Sequence, residues 1–238
     1  MKIGAIIVAA GRGERLGGSR PKCFIRIQGA PLFALAAWPF QLADRVEAVV
    51  LVVPSGLEEE AAVESGRWGL TKVIATVAGG AERSDSVRNG LTALPAQLDG
   101  VLIHDGARPL LSVHTLNQTI TALETALAVT VAVPVTDTLH LREDGRLKAG
   151  PDRNYLVAAQ TPQGFHRHIL EAAFRKAETM DVHASDEICL VRWTLLQDAI
   201  LVKGELSNIK ITHQEDIHFY KSQMSARVKQ MKGSSIAV

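Results

Sequence analysis

Between residues 11 and 26 the chain places Arg12, Arg15, Arg20, Lys22 and Arg26 against a single acid, Glu14. Gly11, Gly13, Gly17 and Gly18 loosen the same stretch. Cations on a backbone whose N–H groups can approach a ligand closely suit a small polyanion such as a nucleoside triphosphate. Transfer at phosphorus needs fixed positive charge around a centre that gains equatorial negative charge. Arg15 and Lys22 are the sharpest candidates. An arginine bridges two oxygens and a lysine supplies a point charge, and Pro21 stiffens the backbone ahead of Lys22.

Two better-known phosphate patterns fail here. A dinucleotide fingerprint needs a third glycine where Leu16 stands, and an acid near Phe33. A Walker loop needs lysine where Ser19 stands. Taken alone, the loop equally reads as a solvated basic turn.

Further polar islands follow apolar runs. Gly79-Gly80-Ala81-Glu82-Arg83-Ser84-Asp85-Ser86 is a glycine turn into a helix start; it offers backbone groups and Ser86 to a base edge, or ordinary capping by Ser84 or Asp85. His104-Asp105-Gly106-Ala107-Arg108-Pro109 closes a strand with an acid able to hold a ribose hydroxyl or orient a magnesium ion. His104 reads as a buried or supporting histidine. Asp137-Thr138, Asp152-Arg153-Asn154, Thr161-Pro162-Gln163 and Asn208-Ile209-Lys210 are uninformative one at a time. His166 and His168 read as surface residues.

The elements that position these residues alternate. Residues 3–10, 48–53, 72–77, 101–104, 129–135 and 199–202 read as strands, most of them continuously apolar. Residues 31–42, 58–66, 84–94, 113–127, 167–179 and 185–195 read as helices. A capping box, Thr212-His213-Gln214-Glu215, opens a last helix to about residue 231, before a disordered tail at 233–238. The alternation predicts a doubly wound α/β sheet. Its ligands bind beyond the carboxyl ends of the strands, where all three unusual loops fall. Residues 136–159 break the rhythm. Leu139, Leu141 and Leu147 flank Glu143-Asp144-Gly145, a hairpin turn signal, so the segment reads as a β-arm inserted in a single domain of 238 residues.

Composition narrows the class. Apolar residues make up 47% of the chain and the formal net charge is +1, which fits a globular protein and excludes a broad basic face for nucleic acid. Two cysteines, Cys23 and Cys189, suggest neither a disulfide framework nor a zinc site, and imply a reducing, cytoplasmic setting. The run at 3–10 is too short for a membrane span and reads as a buried strand rather than a signal sequence.

The ordered set Ala9-Ala10-Gly11-x-Gly13-x-Arg15, Pro21-Lys22, Gly79-Gly80…Arg83-x-Asp85-Ser86-Val87, His104-Asp105-x-Ala107-Arg108-Pro109, Asp137-Thr138, Asp152-Arg153-Asn154, Thr161-Pro162-Gln163, Ser185-Asp186-Glu187 and Asn208-Ile209-Lys210-Ile211-Thr212 resembles the 2-C-methyl-D-erythritol 4-phosphate cytidylyltransferases. The resemblance implies a Rossmann-like nucleotidyltransferase sheet with a protruding arm. It also implies transfer of a cytidylyl group from CTP to the alcohol phosphate, with Mg2+ and release of pyrophosphate, in non-mevalonate isoprenoid biosynthesis. By position, Arg15 and Lys22 would stabilise the transition state, and Arg153 and Lys210 would position the substrate phosphate. Arg108, Thr138 and Thr161 would bind that substrate, some from a partner copy in a homodimer joined through the arm. Ala9, Ala10, Gly80 and Ser86 would surround cytosine, with Asp105 and Gly106 at the ribose and Gly11 and Gly13 closing on the triphosphate. Asp105 is also the candidate metal ligand, on its own place at the end of an apolar strand rather than on the resemblance. Val8, Cys23, Ala81, Gly106 and Ser207 depart from residues common in the family. Rival readings are a ribitol-5-phosphate cytidylyltransferase, a non-catalytic nucleotide sensor on the same fold and a dinucleotide oxidoreductase.

Overall fold

The computed structural model describes residues 1–11 and 20–235. In chain order the strands are β1 Ile3–Val8, β2 Arg26–Ile27, β3 Ala30–Pro31, β4 Val46–Val53, β5 Val73–Ala78, β6 Gly100–Asp105, β7 Ala128–Pro134, β8 His140–Glu143, β9 Arg146–Ala149, β10 Val157–His166 and β11 Ile200–Lys203. The helices are α1 Leu32–Leu42, α2 Glu58–Arg67, α3 Arg83–Ala93, α4 Val113–Leu123, α5 Arg167–Met180, α6 Glu187–Leu195 and α7 Gln214–Ser235. Seven strands form one sheet in the order β11-β7-β10-β6-β1-β4-β5.

The central strands are apolar on both faces because both faces are covered. Ile3, Ala5 and Ile7 join the layer containing α1, α4 and α7, while Ile6 faces α3, α5 and α6. β4 alternates in the same way, with Val49, Leu51 and Val53 on one side and Ala48, Val50 and Val52 on the other. This two-sided burial is why the runs are continuous rather than alternating. The expected doubly wound α/β sheet is present.

The sheet is mixed, however. β10 lies antiparallel between β6 and β7, with its register shifting between Ala159 and Gln163. The reading that carried the arm to residue 159 is corrected, because Val157, Ala158 and Ala159 already pair with β7. The arm proper is the β8–β9 hairpin, whose strands are exposed throughout.

Local signals resolved mostly as expected. Pro31 caps α1 and Pro39 sits inside it. Two caps differ. Glu82, not Ser84 or Asp85, is the N-cap of α3, and Asp85 reciprocates from the third position of the helix. Ahead of α7, Asp216 rather than Glu215 accepts from Thr212 N–H (2.7 Å) and His213 N–H (2.9 Å). The last helix extends to Ser235, past the expected start of a disordered tail. Among the described residues no helix is long and apolar enough to cross a membrane.

Candidate active site

The parallel strands β6, β1, β4 and β5 lie side by side and end at one edge of the sheet. Ala9 N–H donates to Val52 O (2.7 Å), Gly79 N–H to Val53 O (2.8 Å) and Gly106 N–H to Val8 O (2.8 Å). The loops after β1, β5 and β6 therefore leave the sheet edge together. The chain runs from β1 outward to β4 and β5 on one side, while β6 lies on the other, so the gap between β1 and β6 is the switch point where such sheets bind ligands. A cavity of about 570 Å³ opens there. Ala9, Ala10 and Gly11 line it from the first loop, Gly80 to Arg83 and Ser86 from the second, and Asp105 to Ala107 from the third. Lys22, Cys23, Lys210 and Thr212 close it.

The second loop requires its glycines. A Cβ on Gly79 would lie 2.2 Å from Ala10 Cβ, and one on Gly80 would lie 2.2 Å from Asp85 Cβ. Only a residue without a side chain lets the first two loops touch. Ser86 Oγ accepts from Gly80 N–H (3.1 Å) and donates to Glu82 O (3.1 Å), so the serine shapes the loop from beneath.

Asp105 is the electrostatic centre. Its Oδ2 lies 2.9 Å from Lys210 Nζ and 3.4 Å from Arg108 Nε, and its Oδ1 lies 3.5 Å from Arg83 Nη2. Burial alone would raise its pKa, but Lys210, Arg83 and Arg108 outweigh burial and hold the carboxyl well below the usual range. Arg83 is shared: its other guanidinium nitrogen pairs with Glu187, a carboxylate only 2% exposed. Burial pushes the Glu187 pKa up, against the pull of Arg83. Asp186 beside it caps α6 through Cys189 N–H (2.8 Å) and accepts from Gln163 Nε2 (2.8 Å). The Ser185-Asp186-Glu187 motif thus buttresses the cavity through Arg83. Neither Arg83 nor Glu187 stood among the expected site residues; the signal was that each lies in a motif of the ordered set.

Behind Asp105 runs a hydrogen-bonded chain. Asp105 N–H donates to Thr161 Oγ1 (3.1 Å), and Thr161 Oγ1 lies 2.9 Å from His104 Nδ1. His104 Nε2 is 3.1 Å from Arg108 O. A carbonyl only accepts, so Nε2 carries the proton and Nδ1 accepts from the Thr161 hydroxyl. Burial lowers the His104 pKa to about 4, keeping the ring neutral. The expectation of a supporting histidine agrees with this geometry.

The segment before α7 is stitched to the third loop. Arg108 Nη1 donates to Asn208 O (2.7 Å) and Ile211 N–H donates to Ala107 O (2.8 Å). Asn208 is fully buried and donates to Thr161 O (2.9 Å). Lys22 Nζ donates to Ile211 O (2.8 Å), so both lysines reach the cavity with this segment as scaffold.

Other expected site residues fall differently. Arg15 and Gly13 lie outside the described residues. Thr138 and Arg153 are exposed at the arm and line no part of their own chain's cavity; Arg153 Nη1 donates to Thr136 O (2.7 Å). Thr161 and Arg108 were expected at the substrate, but their polar atoms face the protein. Thr161 is 5% exposed within the His104 chain, and Arg108 spends its guanidinium on Asn208 O, Ala159 O and Asp105. The Asp105 metal assignment also needs correction. Three cations already surround this carboxylate, and the described residues contain no group of three or more His, Cys, Asp or Glu that could hold an ion. The donor set does not fit a resident metal.

The model of the 2-C-methyl-D-erythritol 4-phosphate cytidylyltransferase family matches residues 3–225. The chain belongs to this family. It is 38% identical over 230 residues to the 2-C-methyl-D-erythritol 4-phosphate cytidylyltransferase of Pelotomaculum thermopropionicum, covering 95% of each chain. It is 39% identical over 222 residues to a bifunctional IspD/IspF enzyme of Oleidesulfovibrio alaskensis, where it spans 55% of the longer relative. Among solved structures, the 4-diphosphocytidyl-2C-methyl-D-erythritol synthase of Anaerococcus prevotii superposes with a TM-score of 0.81 at 30% identity, over 93% of this chain and 95% of that one. The enzyme of Thermus thermophilus gives 0.73 at 31% identity, over 94% and 99%. The sequence resemblance and the nucleotidyltransferase class are thereby established, and the dinucleotide reading is set aside.

Proposed function

We propose that this chain transfers a cytidylyl group from CTP to 2-C-methyl-D-erythritol 4-phosphate, releasing pyrophosphate. The observation that carries the reading is the cavity at the β1–β6 switch point, with Lys22 and Lys210 brought to its rim from opposite ends of the chain. The relatives' names favour methylerythritol phosphate over ribitol phosphate.

In this account the base and ribose occupy the cleft lined by Ala9, Ala10, Gly80, Ser86, Asp105 and Gly106, and the phosphates extend toward Gly11 and Lys22; the family motif adds Gly13 and Arg15. An oxygen of the substrate phosphate attacks the α-phosphorus in line. The new P–O bond forms as the bond to the bridging oxygen of the β-phosphate breaks, and pyrophosphate leaves with that electron pair. The nucleophile is already an anion, so no general base is required. Catalysis is positioning together with charge stabilisation by Arg15, Lys22 and Lys210. Magnesium arrives as the counter-ion of the triphosphate, as part of the substrate, and no step is assigned to a protein-held ion.

Arg153 and Thr138 are proposed to act on the substrate phosphate bound by a partner copy, which makes the enzyme a homodimer joined through the arm. The exposed leucines Leu141 (56%) and Leu147 (71%) support an arm that is covered in the dimer. The chain is taken as one catalytic unit with an inserted arm, working in the cytoplasm. Phosphorus NMR of a mixture of enzyme, MgCTP and methylerythritol phosphate tests the reading. The expected result is a new pair of diphosphate resonances together with pyrophosphate; unchanged substrates would refute it.

A further inference from the structure

Arg227 lies on α7 beside Val228, and with Met224 and Met231 that residue anchors the helix in the apolar layer. Its guanidinium is directed at main-chain carbonyls. Nη1 donates to Pro109 O and to Leu35 O (3.4 Å), and Nη2 donates to Leu111 O (2.7 Å). Pro109 and Leu111 continue the loop that carries Asp105, Gly106 and Ala107 into the cavity wall. The same loop is tied to the segment before α7 by Arg108 and Ile211. It is therefore held at both ends by one C-terminal unit. A planar guanidinium can serve two separate carbonyls from two different nitrogens, which the single ammonium of lysine reproduces poorly. Arg227 does not line the cavity, so any effect on a ligand must pass through the loop.

We propose that Arg227 is a positioning residue for nucleotide binding: by clamping Pro109 and Leu111 it holds Asp105, Gly106 and Ala107 at the spacing the ribose requires. The proposal rests on the reading of the cavity as the CTP site. Two variants test it, Arg227→Lys and Arg227→Gln, each with two readouts. In ligand-free protein, amide hydrogen exchange over residues 105–112 is expected to accelerate about tenfold in Arg227→Gln and less in Arg227→Lys, with β1 and β4 unchanged. In the assay, KM for CTP is expected to rise roughly tenfold with little change in kcat. A brace serving only the fold would lower Tm and leave both readouts as in wild type, and that result overturns the proposal. If Arg227→Gln does not fold, Arg227→Lys decides. If wild type itself does not bind CTP, the cavity assignment has failed, and the exchange data still judge the clamp.

Discussion

Lys210 Nζ stands 2.9 Å from Asp105 Oδ2, at the rim of a cavity where Arg83 and Arg108 also face the same carboxylate. Lys210 is 42% exposed on its side chain, whereas Asp105 is buried, so the lysine sits at the boundary between the protein's charge network and the open cavity. Replacing Lys210 by methionine is expected to lower kcat by about 10²–10³, the range for losing one charge-stabilising donor. Near-normal turnover in a folded Lys210→Met protein would remove the lysine from the mechanism.

The His104 ring makes stability sensitive to acid. Its folded pKa, lowered to about 4 by burial, lies below its ordinary value of 6.5. The unfolded chain therefore takes up the proton first as pH falls. The contribution is fully present above about 6.5 and is lost progressively as pH falls toward 4. Urea unfolding at a series of pH values is expected to show this loss in wild type. The His104→Asn variant, whose amide oxygen can accept from Thr161, should lack that part of the loss. Parallel pH profiles in the two proteins would contradict the assignment.

Arg83 pairs with Glu187, a carboxylate that is only 2% exposed and whose pKa burial pushes up against the pull of the guanidinium. Breaking a buried pair from one side costs about 3–5 kcal/mol, because the remaining charge is stranded. Arg83→Met is expected to destabilise by about that amount, and Arg83→Met with Glu187→Met to recover most of it. Additive destabilisation in the double variant, measured by chemical denaturation, would show that the pair is not coupled.

Gly79 tests how tightly the first two loops must touch. A Cβ there would meet Ala10 Cβ at 2.2 Å and Ser86 Oγ at 2.9 Å. Gly79→Ala must push the loops apart, at a cost of about 1–3 kcal/mol, and should weaken CTP binding in calorimetry. Gly233→Ala, with nothing within 4 Å of its Cβ, is the matched control. Unchanged affinity in Gly79→Ala would mean that the loop contact does not shape the nucleotide site.

The parallel centre of the fold was legible because β1, β4 and β6 are buried on both faces and read as unbroken apolar runs. β10 was not. Its middle, Gln160-Thr161-Pro162-Gln163, looks like a loop by hydropathy, yet its polar side chains are met inside the protein: Gln160 Nε2 donates to Glu205 O (2.9 Å) and Gln163 Nε2 to Asp186. Polarity satisfied by tertiary partners has no signature in a local window. The three loops could be assigned to one sheet edge from their places after strands. The meeting of Lys210 and Arg83 on Asp105 could not, because it depends on how the segment before α7 folds back over the third loop.

The central claim is tested most directly by pyrophosphate release measured with purified enzyme, MgCTP and each of two alcohol phosphates. The account predicts steady release with 2-C-methyl-D-erythritol 4-phosphate, no release with CTP alone, and much slower release with ribitol 5-phosphate. Faster turnover of ribitol phosphate would contradict the substrate assignment, and no release with either alcohol would contradict the assignment as a cytidylyltransferase.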